Sequence, residues 1–255
     1  MLFDSHTHLN AEQFIGEVPE LIERAKDNDV ERMAVVGFDT PTIERSLELN
    51  RQYDMVYSII GWHPTEAATY TDAIEERLIE QLQLPKVVAM GEMGLDYYWD
   101  SAPKNVQQDV FRRQIRIAKE LGLSISIHMR EATEDTYRVL KEEHAGDTGG
   151  IMHSFNVDTY WMEAFLDLGM HISLSGVVTF KNAPEVKEIG KACPFERLLI
   201  ETDAPYLAPH PLRGKRNEPA YVKYVAEEIA RLRELPYEEV GHQTTANANK
   251  LFRLD

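Results

Sequence analysis

The chain has 255 residues, 43% of them hydrophobic and 27% charged, enough apolar material for a sizeable core, which excludes a disordered chain. Lys plus Arg number 27 against 43 Asp plus Glu, and the net charge of −16 excludes a sequence-independent coat for nucleic acid, since it repels polyanions at long range. That charge says little about an enzyme that handles phosphates locally. The single cysteine, Cys193, excludes an intrachain disulfide. The opening MLFDSHTHLN has no basic and apolar leader pattern, and no apolar run approaches the length of a bilayer span. A soluble, monomeric, cytoplasmic protein without a membrane partner is the expectation.

In chain order, short β-rich runs alternate with helical patterns. Strands are expected at Leu2–His8, Met33–Phe38, Val56–Trp62, Val87–Glu92, Ser124–His128, Gly150–His153, His171–Ser175 and Leu198–Asp203, with room for a crossover helix after each. Between the fourth and fifth, Phe111, Ile115 and Ala118 form an apolar stripe. Arg112, Arg113 and Lys119 fill the other face, and Gly122 sits where the helix should stop. Val222, Val225, Ala226, Ile229 and Leu232 make a later stripe opened by Pro219, and a last helix is expected over about 238–252. Repeated β-then-α units in a chain of this length predict an α/β fold, a (β/α)8 TIM barrel, forming a single hydrolase-type domain over residues 1–255. No motif recurs at a fixed period, which excludes a solenoid.

The chemistry begins at Asp4-Ser5-His6-Thr7-His8. Alternate residues of a strand share a face, so His6 and His8 project the same way and can grip one metal ion from a strand end. Other apolar runs end alike: VVAMGE in Glu92, SISIH in His128, GGIMH in His153 and RLLIETD in Asp203. An ionisable residue ending a strand covered on both sides needs a partner or a metal, and barrel enzymes gather their ligands at these ends. Imidazole and carboxylate without thiolate suit ions such as Mg, Mn or Zn. His6, His8, Glu92, His128, His153 and Asp203 exceed what one tetrahedral ion needs and fit two divalent ions sharing a carboxylate. Cys193 lies apart from these strand ends and reads as an inert thiol.

HTHLN, GEMGLDYYWD, IHMR, HSF, ETDAPYLAPHPLRGKRNEP and TTANANKLF, in this order along essentially the whole chain, resemble the TatD family of metal-dependent hydrolases, a branch of the amidohydrolase superfamily. The resemblance implies a (β/α)8 barrel, a binuclear site and hydrolysis of DNA phosphodiesters, in some members as a 3′→5′ exonuclease on single strands. It puts His6, His8 and Asp203 on one ion, His128 and His153 on the other, and Glu92 between. A related barrel class bridges its metals with a modified lysine on the fourth strand, where this chain has Glu92. Ser154 departs from the cysteine that many relatives carry after the corresponding histidine; the histidine itself is kept.

Asp203, a carboxylate beside the metal, is the expected group to orient and deprotonate the attacking water, with Glu92 as its catalytic partner. Substrate contacts are expected from His63 in GWHP, from Arg130 just past His128, and from Arg213 and Lys215 in a proline-rich, locally basic loop after Asp203. Tyr97, Tyr98 and Trp99 either stack on bases or pack against a neighbouring loop. His144 and His242 are expected to face solvent and His171 to be structural. The function expected is a deoxyribonuclease acting on DNA, at single-stranded ends. A D-aminoacyl-tRNA deacylase or another ester or amide hydrolase with the same metal chemistry is the alternative, and a catalytically silent binding protein stands behind it.

Overall fold

The structure is a computed structural model that describes residues 1–254, and among these the alternation runs without a break. Strands β1 (Leu2–Thr7), β2 (Val30–Gly37), β3 (Val56–Ile60), β4 (Val87–Asp96), β5 (Ser124–Arg130), β6 (Gly150–Met152), β7 (Met170–Leu174) and β8 (Leu198–Ile200) lie in sequence order in one parallel sheet. Helices α1 (Val18–Lys26), α2 (Thr40–Gln52), α3 (Asp72–Leu82), α4 (Lys104–Leu121), α5 (Thr133–Glu142), α6 (Thr159–Asp167) and α7 (Pro184–Ala192) fill the crossovers. Helices α8 (Val222–Arg233) and α9 (Tyr237–Phe252) close the chain. This is the (β/α)8 barrel that the alternation predicted. No helix among these residues is long and apolar enough to cross a membrane.

The sheet curls until its ends meet. Across the seam between β8 and β1, Asp203 N–H donates to His6 O at 2.9 Å and His8 N–H to Ala204 O at 2.8 Å. Thr202 adds its backbone N–H to Asp4 Oδ1 at 2.9 Å and its hydroxyl to Asp4 Oδ2 at 2.6 Å. The strands are buried on both faces, the outer one under helices. Leu2, Met33, Val35, Ile60, Met90 and Ile127 belong to one apolar cluster that extends into the helices as Phe111, Ile115, Val225 and Ile229. In α4 the stripe lands as the periodicity predicts, and the helix stops at Gly122, which takes a left-handed φ of 67°. Leu123 N–H then bonds back to Ala118 O at 2.9 Å.

The strand ends differ from the sequence reading, most at β4. The expected end of β4 was Glu92, with its flanking glycines turning the chain. Instead β4 runs on to Asp96 and keeps pairing with β5, Gly94 opposite His128 and Asp96 opposite Arg130. The glycines serve close approach rather than a turn: a Cβ on Gly94 would lie 2.0 Å from His128 O. The register slips between Met90 and Met93, so Glu92 sits at an irregularity, a device that re-aims a side chain at a site. Strands β6 and β8 are conversely shorter than expected. His153 and Asp203 follow them on loop backbone, with Asp203 at a φ of 56° in the left-handed region that aspartate tolerates.

Candidate metal centre

The expected ligands meet at the C-terminal mouth of the barrel, around Glu92. Its Oε2 faces His6 Nε2 at 3.6 Å and His8 Nε2 at 3.8 Å. Its Oε1 faces His128 Nδ1 at 2.8 Å and His153 Nε2 at 3.2 Å. Asp203 Oδ1 lies 3.3 Å from His8 Nε2 and 3.8 Å from His6 Nε2. Two pairs of imidazoles are thus divided between the two oxygens of one carboxylate, and Asp203 joins the pair carried by β1.

Outer partners fix which ring nitrogens can act. His8 Nδ1 donates to Val36 O at 3.3 Å, since a carbonyl only accepts. His153 Nδ1 donates to Glu201 Oε1 at 2.9 Å, and His128 Nε2 to Asp96 Oδ2 at 2.8 Å. In the neutral rings this leaves the lone pairs of His8 Nε2, His153 Nε2 and His128 Nδ1 pointing at carboxylate oxygens. Lone pairs against carboxylates repel unless a cation or a proton lies between them. The donor set therefore fits divalent ions, with second partners holding the ligand rings in place as they do in metal enzymes.

The titration of the site expresses the same demand for positive charge. Burial works against a charged His153, but the carboxylates of Glu201 and Glu92 outweigh it and raise its pKa well above the ordinary value. His128 is raised against burial by hydrogen bonds to Asp96 and Glu92, and His8 by Asp203. Burial alone would raise Glu92, yet His153, His128 and His6 hold it well below its usual range. Asp203 is lowered chiefly by its bond to His8, again against burial. Behind the ligands, burial pushes Asp4 up to about 8 although Thr202 hydrogen bonds favour its carboxylate.

His63 reaches the same cluster but offers something else. Its Nε2 lies 3.7 Å from Glu92 Oε1, and Nδ1 accepts the Thr65 backbone N–H at 3.2 Å. Nδ1 is therefore the bare nitrogen and Nε2 carries the proton. In that tautomer His63 is a hydrogen-bond donor at the site and not a ligand, although its position beside Glu92 and His128 would suit one. His6, His153 and Glu201 also lie together, with His6 Nδ1 and Glu201 Oε2 buried and without a hydrogen-bond partner among the described residues. Glu201 Oε1 is occupied by His153 Nδ1–H and by Ser154 N–H at 3.0 Å.

A cleft of about 810 Å³ opens over the cluster, lined by His8, His63, Glu92, His128, His153 and Asp203, and on its walls by Arg130 and Trp99. Arg213 and Lys215 do not line it. Arg213 lies over the Phe180 ring at 4.3 Å and donates to Asn182 Oδ1 at 3.2 Å, and Lys215 is exposed on the same loop. Tyr97 takes the packing alternative, with its hydroxyl on Asp135 Oδ2 at 2.7 Å, whereas Tyr98 and Trp99 stay 50% and 55% exposed. His144 and His242 are exposed. Cys193 is buried, which pushes its thiol up to about 12.

Asp96 and Glu201 escaped the sequence reading, as did two buried amides of α4. Gln114 Oε1 accepts Trp62 N–H at 2.8 Å, and its Nε2 donates to Trp62 O at 3.0 Å, beside His63. Gln107 makes the same pair of bonds to Asp96, both at 2.9 Å. The available signal was their burial on an otherwise apolar stripe seven residues apart, plus carboxylates two residues before Asp203 and four after Glu92.

A parallel barrel with convergent imidazoles and carboxylates at its C-terminal mouth defines a metal-dependent hydrolase of the amidohydrolase-like kind. The sequence profile described as TatD related DNase matches residues 3–253, and the chain belongs to the TatD family. The uncharacterized metal-dependent hydrolase YabD of Bacillus subtilis is 53% identical over 255 residues, covering 100% of both chains. The 3′-5′ ssDNA/RNA exonuclease TatD of Salmonella typhimurium is 34% identical over 258 residues, covering 99% of each. Among solved structures, YJJV, a TatD homolog from Escherichia coli K12, superposes with a TM-score of 0.92 at 28% identity over 100% of this chain and 98% of that one. A mutant organophosphorus hydrolase from Deinococcus radiodurans shares the fold at a TM-score of 0.69 and 14% identity, over 98% of this chain and 92% of its own.

Proposed function

We propose that this hydrolase cleaves phosphodiester bonds with two divalent ions, as a deoxyribonuclease that removes nucleotides 3′→5′ from single-stranded ends. The observation that carries the reading is the division of Glu92: one oxygen toward His6 and His8, the other toward His128 and His153, in a cleft that also holds a non-ligating donor, His63. Bound ions would supply charge for a phosphate oxygen and lower the pKa of the attacking water. His6, His8 and Asp203 would hold one ion and His128 and His153 the other, with Glu92 offering an oxygen to each. Asp203 would orient the water and accept its proton, as a carboxylate already facing the histidines of β1. His63 Nε2–H and Arg130 bind phosphate oxygens. Arg213 and Lys215, outside the cleft, meet the more distant phosphates of a longer strand. The 34% identity to the Salmonella exonuclease supports the same substrate class.

The test is metal-reconstituted protein incubated with labelled single-stranded DNA, double-stranded DNA and D-tyrosyl-tRNA, with chelated controls. Shortening of single strands from the 3′ end, lost on chelation, is the expected result. Chelator-sensitive release of D-tyrosine with DNA intact would replace the nuclease with a deacylase, and cleavage indifferent to chelation would remove the metal reading altogether.

A further inference from the structure

We infer that Tyr98, Trp99 and Arg130 form a nucleotide subsite on the wall of the cleft, where an unpaired base stacks on Trp99 and its phosphate pairs with Arg130. The inference rests on the phosphodiesterase reading and names the feature of the substrate that the site selects.

Three observations converge on this wall. Trp99 and Arg130 line the cleft together with Asp96 and His128. Tyr98 and Trp99 are 50% and 55% exposed, large aromatic surface left in water beside a reactive centre. Arg130 makes no ion pair among the described residues, although neighbouring arginines such as Arg112, Arg113 and Arg138 are each paired with carboxylates. Its guanidinium instead lies 3.8 Å from the centre of the Tyr98 ring and 5.7 Å from that of Trp99. A cation held on an aromatic face but left without a counter-ion, in a chain of net charge −16, is set to receive an anion from outside. The two rings stand at 89° to each other, so Tyr98 carries the guanidinium while Trp99 presents a differently oriented plane to the cleft.

The platform is not a loose loop. Asp96 Oδ1 accepts the backbone N–H groups of both Tyr98 and Trp99 at 3.0 Å, and its Oδ2 holds His128. Tyr97 N–H also bonds Arg130 O at 2.9 Å, extending the ladder of β4 and β5. One carboxylate thereby fixes the distance between the stacking surface and a metal ligand, which is what a subsite for the nucleotide beside the scissile phosphate requires. Glu131 shares the cleft wall and disfavours a second phosphate there. A duplex end hides its base faces, so this wall favours single strands.

The test compares kcat/KM for a single-stranded oligonucleotide with that for the same backbone carrying abasic tetrahydrofuran residues, in wild type, Trp99→Ala and Trp99→Phe. Metal-free protein is also titrated with oligothymidylate while tryptophan fluorescence is followed. Wild type should favour the base-bearing strand by roughly tenfold. Trp99→Ala should lose most of that preference and Trp99→Phe keep it, and the fluorescence quench should vanish in Trp99→Ala. An unchanged preference in Trp99→Ala, with both strands cleaved, overturns the subsite and leaves the phosphodiesterase standing. If neither strand is cleaved the phosphodiesterase falls, and the quench alone then decides: its absence in wild type overturns the subsite as well.

Discussion

At the residue scale, the division between ligands and the groups that hold them makes distinct predictions. Asp203→Asn keeps the shape of the side chain but removes the carboxylate proposed to accept the water proton. Turnover should be abolished while the thermal melting curve stays within a few degrees of wild type. Near-normal kcat at saturating metal would remove Asp203 from the role. Asp96→Asn and Glu201→Gln act one step further out, each weakening the grip on a ligand imidazole. Metal affinity measured by calorimetry should fall by roughly 10- to 100-fold, the usual loss when such a partner is removed. The convergence of the proposed ligands was legible in the sequence because each ends an apolar run, where an ionisable residue needs a partner or a metal. Asp96 and Glu201 were not, because a carboxylate that orients a histidine is recognisable only once the histidine beside it is known. Arg213 and Lys215 show the converse: a basic loop states its charge but not the direction in which it leans.

At the element scale, α4 matters as much as any strand. Its apolar stripe was readable from periodicity, but Gln107 and Gln114 on the same face look like polar interruptions. They serve as side-chain versions of a neighbouring strand, meeting both backbone groups of Asp96 and of Trp62. Gln114→Leu leaves Trp62 N–H and O buried without partners, at a cost of about 1–3 kcal/mol per group. Urea unfolding should register that loss, and kcat/KM should fall with it because His63 is the next residue. The extension of β4 was hidden for a related reason. Glycines announce freedom, and only the pairing partner reveals whether the freedom serves a turn or a close contact. Gly94→Ala places a methyl group 2.0 Å from His128 O. The two strands must part, and both stability and metal affinity should drop.

For the whole molecule, the site gathers imidazoles and carboxylates whose mutual attraction depends on positive charge between them. Without metal, protons compensate. His153 is raised above its ordinary 6.5, so its contribution to stability is fully present below about that pH and is lost as pH rises through the higher folded value. Glu92 and Asp203 are depressed from 4.5 and 3.8, and their contribution is present above those values and lost as pH falls through the lower folded ones. Chelated protein should therefore be most stable between these limits, in mildly acidic solution. Metal must displace the histidine protons, so the rise in melting temperature on adding Mn or Zn should grow from pH 5.5 to pH 8, with proton release visible as a buffer-dependent heat. At 100 times the dissociation constant the stabilisation is about 2.7 kcal/mol. A metal-induced shift independent of pH would show that protons do not stand in for the ions.

The seam between β8 and β1 also bears on how the molecule comes into being. The hydroxyl of Ser5 meets Ile200 O at 2.9 Å across 195 residues of chain, and the same junction brings Asp203 to His6 and His8. During synthesis, His6 and His8 leave the ribosome long before Asp203, the carboxylate that faces them. Bringing such distant segments together is the slowest kind of contact to form. A nascent or truncated chain ending before β8 can display the paired histidines but lacks the carboxylate that faces them. Maturation of the candidate metal centre is thereby tied to synthesis through β8.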